Sequence, residues 1–150
     1  MSSIFPFINT TSTIDQVAAK DLPLFQEYAY DYENNCLLLN DDGIPYLVER
    51  NEALKIWIYK ALSTERFRYV AYDSDYGNET DTLIGKNYNT DITNSELKRM
   101  IIEALMCNPY IEELSNWEFE AQRNSVCVTF DVTTVYGPDT IQFTKKGVIA

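Results

Sequence analysis

The stretch Glu52–Gly85, EALKIWIYKALSTERFRYVAYDSDYGNETDTLIG, constrains the fold more than any other part of the chain. Leu54, Trp57, Ile58, Ala61 and Leu62 recur at helical spacing, so a helix over 52–62 carries one apolar face. Phe67, Tyr69 and Ala71 then alternate with Arg68, Val70 and Tyr72, the period of a strand. Asp73 to Gly77 reads as a polar corner in which Gly77 supplies a positive φ, followed by a short second helix. A helix with one apolar stripe must bury it on another layer, which calls for a sheet elsewhere in the chain.

The remaining segments supply that sheet. Gln26 to Tyr32 alternates as a half-buried strand, and Cys36–Leu39 and Ile44–Val48 flank a turn at Asn40-Asp41-Asp42-Gly43. Asn51 is placed to cap the helix that follows. Thr93 and Glu96 have capping-box spacing ahead of a second core helix. In that helix Leu97, Met100, Ile101, Ala104 and Leu105 repeat the buried face until Pro109 stops it. A long hairpin has Trp117, Phe119 and Ala121 in phase on one arm and Val126, Val128, Phe130 and Val132 on the other, turning at Gln122–Asn124. The expected fold is α+β, two core helices on a mostly antiparallel sheet. Residues 1–24 are expected as an extended arm anchored by Ile4, Phe5, Phe7 and Ile8, residues 25–136 as the folded domain, and residues 137–150 as a tail with one more strand over 140–148.

Composition excludes several functions. Twelve basic residues against 23 acidic ones give a net charge of −11, which repels phosphate backbones and anionic membranes. No histidine is present, so the usual general base near neutral pH and the commonest zinc ligand are both missing. Three separated cysteines, Cys36, Cys107 and Cys127, form no CxxC pair and are expected as reduced thiols, with Cys107 and Cys127 buried as small apolar groups. The N-terminal residues lack the pattern of a secretion signal, and no segment is apolar enough to span a bilayer; the chain is expected to be made in the cytosol.

Candidate chemistry is thin. Glu27, Asp31 and Glu33, and Glu112, Glu113, Glu118 and Glu120, are carboxylate clusters of the kind glycoside hydrolysis needs, but such an acid wants an apolar pocket, which only Glu103 approaches. Asp73, Asp75, Glu79 and Asp81 lack the spacing and terminal Glu of a calcium loop. Phosphate loops and a nucleophile elbow are absent. Tyr28, Tyr30 and Tyr32 with Tyr69, Tyr72 and Tyr76 form an aromatic set with acidic neighbours, which suits packing or a protein interface better than nucleic acid. No catalytic, cofactor-binding or metal-ligating residue is expected.

The segments ALKIWIYKALSTERFRYVAYDSDYG, LIG and SELKRMIIEALMCNPYIEEL, in that order and spacing, resemble the XkdS-like branch of the contractile-tail baseplate wedge and sheath-initiator family, once labelled "tail lysozyme". The resemblance covers about residues 25–135. It implies a small structural domain that bonds the inner wedge and starts the first sheath ring by strand addition. The implied partners are other wedge proteins, the tail sheath protein, and further the tube or hub proteins. The implied place is the host cytoplasm during assembly and then the particle's baseplate. Where the wider family carries Glu-Pro-Arg, this chain has Asn108-Pro109-Tyr110, without the ion-pairing groups. Sheath contact is assigned to the hairpin 112–134, with Val126, Val128 and Phe130, and to the tail, with Ile141 and Phe143. Wedge contact is assigned to Ile4, Phe5, Phe7 and Ile8 and to the corner bearing Tyr69, Tyr72 and Tyr76. An acidic protein-binding adaptor and a cell-wall glycoside hydrolase are the alternatives.

Overall fold

Arg50–Ser63 forms helix α1, and its apolar residues do not keep to one stripe: Ala53, Leu54, Ile56, Ile58, Ala61 and Leu62 are all buried. Two structures cover it from different sides. The computed structural model describes residues 22–147. Ahead of α1, short strands β1 (Gln26–Tyr28), β2 (Tyr30–Asp31), β3 (Cys36–Leu37) and β4 (Leu47–Glu49) form a ribbon in which β1 pairs with β4 and β2 with β3, both antiparallel. Its inner residues Ala29 and Val48 pack with Ala53 and Ile56 of α1, and Phe25 and Tyr30 lean on them.

The other side of α1 meets the main core. Helix α2 (Thr90–Leu105) and the strands β5 (Ile111–Gln122), β6 (Ser125–Thr134) and β7 (Gly137–Lys146) follow a short 3-10 turn at Thr80–Leu83. The three long strands make an antiparallel meander with β6 in the centre. Val126, Val128, Phe130 and Val132 alternate onto the helix-facing side of β6 and are at most 1% exposed. They pack with Ile58, Ala61 and Leu62 of α1 and with Leu97, Met100, Ile101, Ala104 and Leu105 of α2. Each of the large side chains among them contributes about 1.5–3 kcal/mol on burial. The α+β expectation and the core face of α2 are therefore observed, while in α1 burial extends beyond the expected stripe to Ala53 and Ile56.

Local expectations fail in four places. Phe67–Tyr72 is no strand but a run of turns, with Phe67 at φ +65°. Its alternation has no partner strand to bury against; the one sheet-like contact nearby is the parallel bridge Glu65–Asn78. Helix α2 starts three residues before Thr93, with Asn89 as its cap accepting from the Asp91 N–H, so Thr93 is a buried residue of the first turn. Asn51 lies inside α1, and instead of capping it reaches the β6–β7 turn, donating to the Gly137 carbonyl and accepting from Thr134. Cys107 lies beyond the end of α2 and is exposed, as is Cys36, while Cys127 is buried. The expected tail strand is observed, beginning at Gly137 and paired with β6 over its whole length.

One residue unmarked by any sequence pattern ties these parts together. Asn78 is 2% exposed, and its side-chain amide donates to the carbonyls of Ala61, Leu62 and Thr64 at 2.7–3.1 Å. Those carbonyls belong to the orphan set at the end of α1. Its Oδ1 accepts from the Thr80 N–H and from the Thr80 hydroxyl, which starts the 3-10 turn. Gly77 brings Asn78 into place: it has φ +97°, and a Cβ there would stand 2.8 Å from the Thr64 carbonyl oxygen. Asn78→Ala strands several buried carbonyls and is expected to cost roughly 2–4 kcal/mol. Gly77→Ala is expected to cost about 1–3 kcal/mol. Urea unfolding measures both, and a midpoint unchanged from the parent in either variant would contradict this account of the corner.

Candidate assembly interface

A sheet of three strands has two edges, and here they differ. Along β7, ten consecutive residues from Gly137 to Lys146 stay in register with β6 without a bulge. Among the described residues no strand pairs with the outer edge of β7. Pro138 stands at its start, as suits an edge strand. Beside this edge runs a groove of about 250 Å³, lined by Tyr32, Lys55, Ile58, Tyr59 and Leu62 on one side and Thr140–Phe143 on the other. A second hollow, sharing Leu62 and Phe143, continues it past Asp81 and Ile84 to Lys146. The trough therefore follows β7 from Thr140 to Lys146, roughly 20 Å at about 3.4 Å per residue. Its ends are pinned by ion pairs from β7 to the helical layer: Asp139 with Lys55 at 2.9 Å, and Lys145 with Asp81.

The opposite edge, β5, is broken. Its register shifts between Ile111 and Glu113 and again between Ser115 and Glu118, and Asn116 has φ +51°. Trp117, lifted out of the ladder there, stacks on Phe130 at 4.7 Å, with the Lys98 ammonium over its ring. Bulges of this kind, with Glu112, Glu113, Glu118 and Glu120 along the strand, are the usual protection of an edge against a further strand.

The outer sheet face is polar and stitched together. Asp131 accepts from the Asn116 amide of β5 at 2.8 Å and from the Thr140 hydroxyl of β7 at 2.6 Å. Those two bonds hold its carboxyl below the usual range, Asn116 having the larger effect. Asp31 is lowered in the same way by Asn34 and the Glu33 N–H. A general acid needs the opposite displacement. Glu103 does not sit in an apolar pocket: it is half exposed and bonds Arg66 at 2.9 Å and Arg99 at 3.3 Å.

The corner at 66–77 presents aromatic rings outward. Tyr69, Tyr72 and Tyr76 form a chain of ring contacts at 6.0 and 4.7 Å, and Tyr76 rests on Trp57. Tyr69 and Tyr72 are about half exposed, whereas burial raises the pKa of Tyr76. Arg66 braces the corner from below, donating to the Gly77 carbonyl at 3.1 Å and to Glu103.

The residues singled out in the sequence therefore separate into three groups. Tyr69, Tyr72 and Tyr76 come together on one surface, and Ile141 and Phe143 line the trough. Val126, Val128 and Phe130 are corrected: their side chains lie inside the core, on the face of β6 that packs against the two helices. Ile4, Phe5, Phe7 and Ile8 lie outside the described residues. Sequence reasoning missed Tyr32, Tyr59 and Leu62 as trough residues. Helical spacing marks Leu62 as apolar but cannot tell which side of α1 remains partly open. The Asn108-Pro109-Tyr110 turn faces inward. The Tyr110 ring packs between Phe25 and Tyr136, its hydroxyl donates to the Pro23 carbonyl at 2.7 Å, and Asn108 accepts from the Tyr110 N–H.

Residues 26–137 match the family described as "Contractile injection system sheath initiator". The chain belongs to that family. A relative is the phage-like element PBSX protein XkdS of Bacillus subtilis (strain 168), 31% identical over 123 residues, covering 81% of this chain and 83% of the relative. The matched span takes in the ribbon, both helices, the tyrosine corner and the hairpin, and so includes every surface described above except most of β7. Membership gives this initiator a structural role in a contractile tail, consistent with a chain built of packed layers. No helix among the described residues is long and apolar enough to cross a membrane.

The lowered carboxyls give this sheath initiator a defined acid limb. Asp131 and Asp31 have folded pKa values below the ordinary 3.8, so their stabilisation is complete above the unfolded value and is lost as pH falls through the lower folded value. Asp131→Asn, paired with Asp31→Asn, is expected to flatten the fall in stability below about pH 4, read from urea midpoints at pH 6 and pH 3. An acid limb as steep as the parent's would contradict the assignment.

Proposed function

We propose that this initiator starts the sheath by accepting an extended strand on the outer edge of β7, while the tyrosine corner faces the baseplate wedge. The carrying observation is the contrast between the edges: β7 offers ten unbroken register positions with an apolar groove beside Thr140–Phe143, and β5 is bulged and acidic. An added strand gains affinity from main-chain hydrogen bonds and specificity from alternate side chains seated in pockets. On β7 those side chains would descend between Ile141 and Phe143 on one wall and Ile58, Tyr59 and Leu62 on the other. The sheath protein is the strand donor in this reading.

The wedge-facing part rests on Tyr69, Tyr72 and Tyr76, whose rings stand on a corner fixed by Gly77, Asn78 and Arg66. Aromatic side chains on a rigid base, with hydroxyls at the rim, are the composition of protein interfaces. Residues 4–8 are proposed to share in this contact. With Tyr110 and Asn108 turned inward, wedge bonding here does not use the position of the family's Glu-Pro-Arg. The activity proposed is assembly alone, in the producing cell's cytoplasm and then in the particle.

Ile141→Lys tests the strand-addition reading. An inward-pointing charge on an edge strand is a natural block to further pairing. Ile141 is only partly buried, so the variant is expected to fold and to enter baseplates, which circular dichroism and immunoblots of purified baseplates measure. Sheath polymerisation on those baseplates is expected to fall at least ten-fold, roughly 1.4 kcal/mol in binding. Sheathed tails at the parent's yield would overturn the β7 assignment.

A further inference from the structure

The ribbon ahead of α1 carries apolar side chains that neither the core nor the surfaces above employ. β1 and β4 turn Glu27 and Val48 inward, and the opposite face sets Tyr28 across from Leu47. Beyond them Leu39 bridges Pro45, next to Ile44 and Tyr46. Leu39 is 56% exposed, Ile44 58% and Leu47 50%. Leu37, Leu38 and Leu39 are consecutive and all exposed, so both faces of the ribbon show leucine to solvent. Single exposed apolar residues are ordinary, but a cluster of this kind on one small element marks a binding surface. A ribbon of two- and three-residue strands is also marginal without cover.

The charge around the cluster specifies the partner. Across Gln26–Arg50 the carboxylates are Glu27, Asp31, Glu33, Asp41, Asp42 and Glu49, and the one basic side chain is Arg50. Glu27 is neutralised by Lys60 at 3.1 Å. The pair at the ribbon's tip, Asp41 and Asp42, is exposed beside Ile44, and among the described residues no lysine or arginine bridges it. The tip loop is nevertheless well formed: Asn40 Oδ1 accepts from the Asp42 and Ile44 N–H groups, and Gly43 takes φ +75°. An apolar centre on a fixed loop with an anionic rim complements an apolar segment flanked by lysine or arginine.

We infer that the β1–β4 ribbon is a docking surface, separate from the β7 edge and the tyrosine corner, for another tail protein's apolar segment bordered by Lys or Arg. The inference rests on the chain being a tail component and not on strand addition at β7. Apolar contact through Leu39 and Leu47, which share one face of the ribbon, holds the segment, and Asp41 and Asp42 orient it.

A photo-crosslinking residue in place of Leu39, in the full chain within cells assembling tails, tests this directly. The expected product is an adduct to a different protein, mapped by mass spectrometry to an apolar segment with Lys or Arg within a few positions. Asp41→Lys with Asp42→Lys is expected to reduce that adduct roughly ten-fold while leaving the melting temperature unchanged. Three results would overturn the inference: no adduct in assembled particles, an adduct to this chain itself, or an adduct that the double reversal leaves intact. Ile141→Lys should leave the Leu39 adduct intact, which separates failure here from failure of strand addition.

Discussion

Helix α1 is buried on two sides, and the rest of the molecule is arranged around that fact. Ala53 and Ile56 bury against the ribbon, while Ile58, Ala61 and Leu62 bury against α2 and the meander. A helix covered from two sides cannot be docked by either layer alone, so its ends must be fixed independently. Asn78 does this at the C-terminal end, taking three carbonyls with one amide, and Asn51 does it near the N-terminal end through the β6–β7 turn. The corner at 66–77 and the start of β7 are both consequences of these attachments. The two proposed assembly surfaces thus share one rigid support.

This arrangement explains what was legible in the sequence. Leu97 through Leu105 lie on a helix buried on one side, so period and burial coincide and the pattern reads cleanly. Val126 through Val132 likewise alternate on a central strand with one face inward. In α1 the apolar residues spread around the helix, so the stripe from Leu54 to Leu62 was visible but Ala53 and Ile56 were not assigned. Phe67–Tyr72 misled for the opposite reason: its alternation of aromatic and other residues reflects exposed rings on a corner, not a pleat against a core. Asn78 carried no signal, because a single amide capping a distant helix end leaves no periodic trace. The same limit applied to the site. The sequence shows β7 as a strand and the tyrosines as a set, but it does not show that the Val126, Val128 and Phe130 face of β6 is the one the helices cover, which is a tertiary property.

The distribution of surfaces suits a part that must be held in several directions at once. The meander has an unbroken outer strand at β7, with Pro138 and the inward-facing Asp139 and Lys145 near its ends, and a bulged outer strand at β5. The tyrosine corner belongs to the loop between the helices, and the ribbon packs on α1 through Ala53 and Ile56 and carries exposed leucines. None of these surfaces needs a moving part or a reacting group. Net charge of −11 favours basic partners for the chain as a whole.

Cryo-electron microscopy of assembled tails tests the central claim most directly. The account predicts density for a sheath strand hydrogen-bonded along Thr140–Lys146, its alternate side chains seated between α1 and β7. Sheath density paired with β5, or contacting this chain without any added strand, would contradict it.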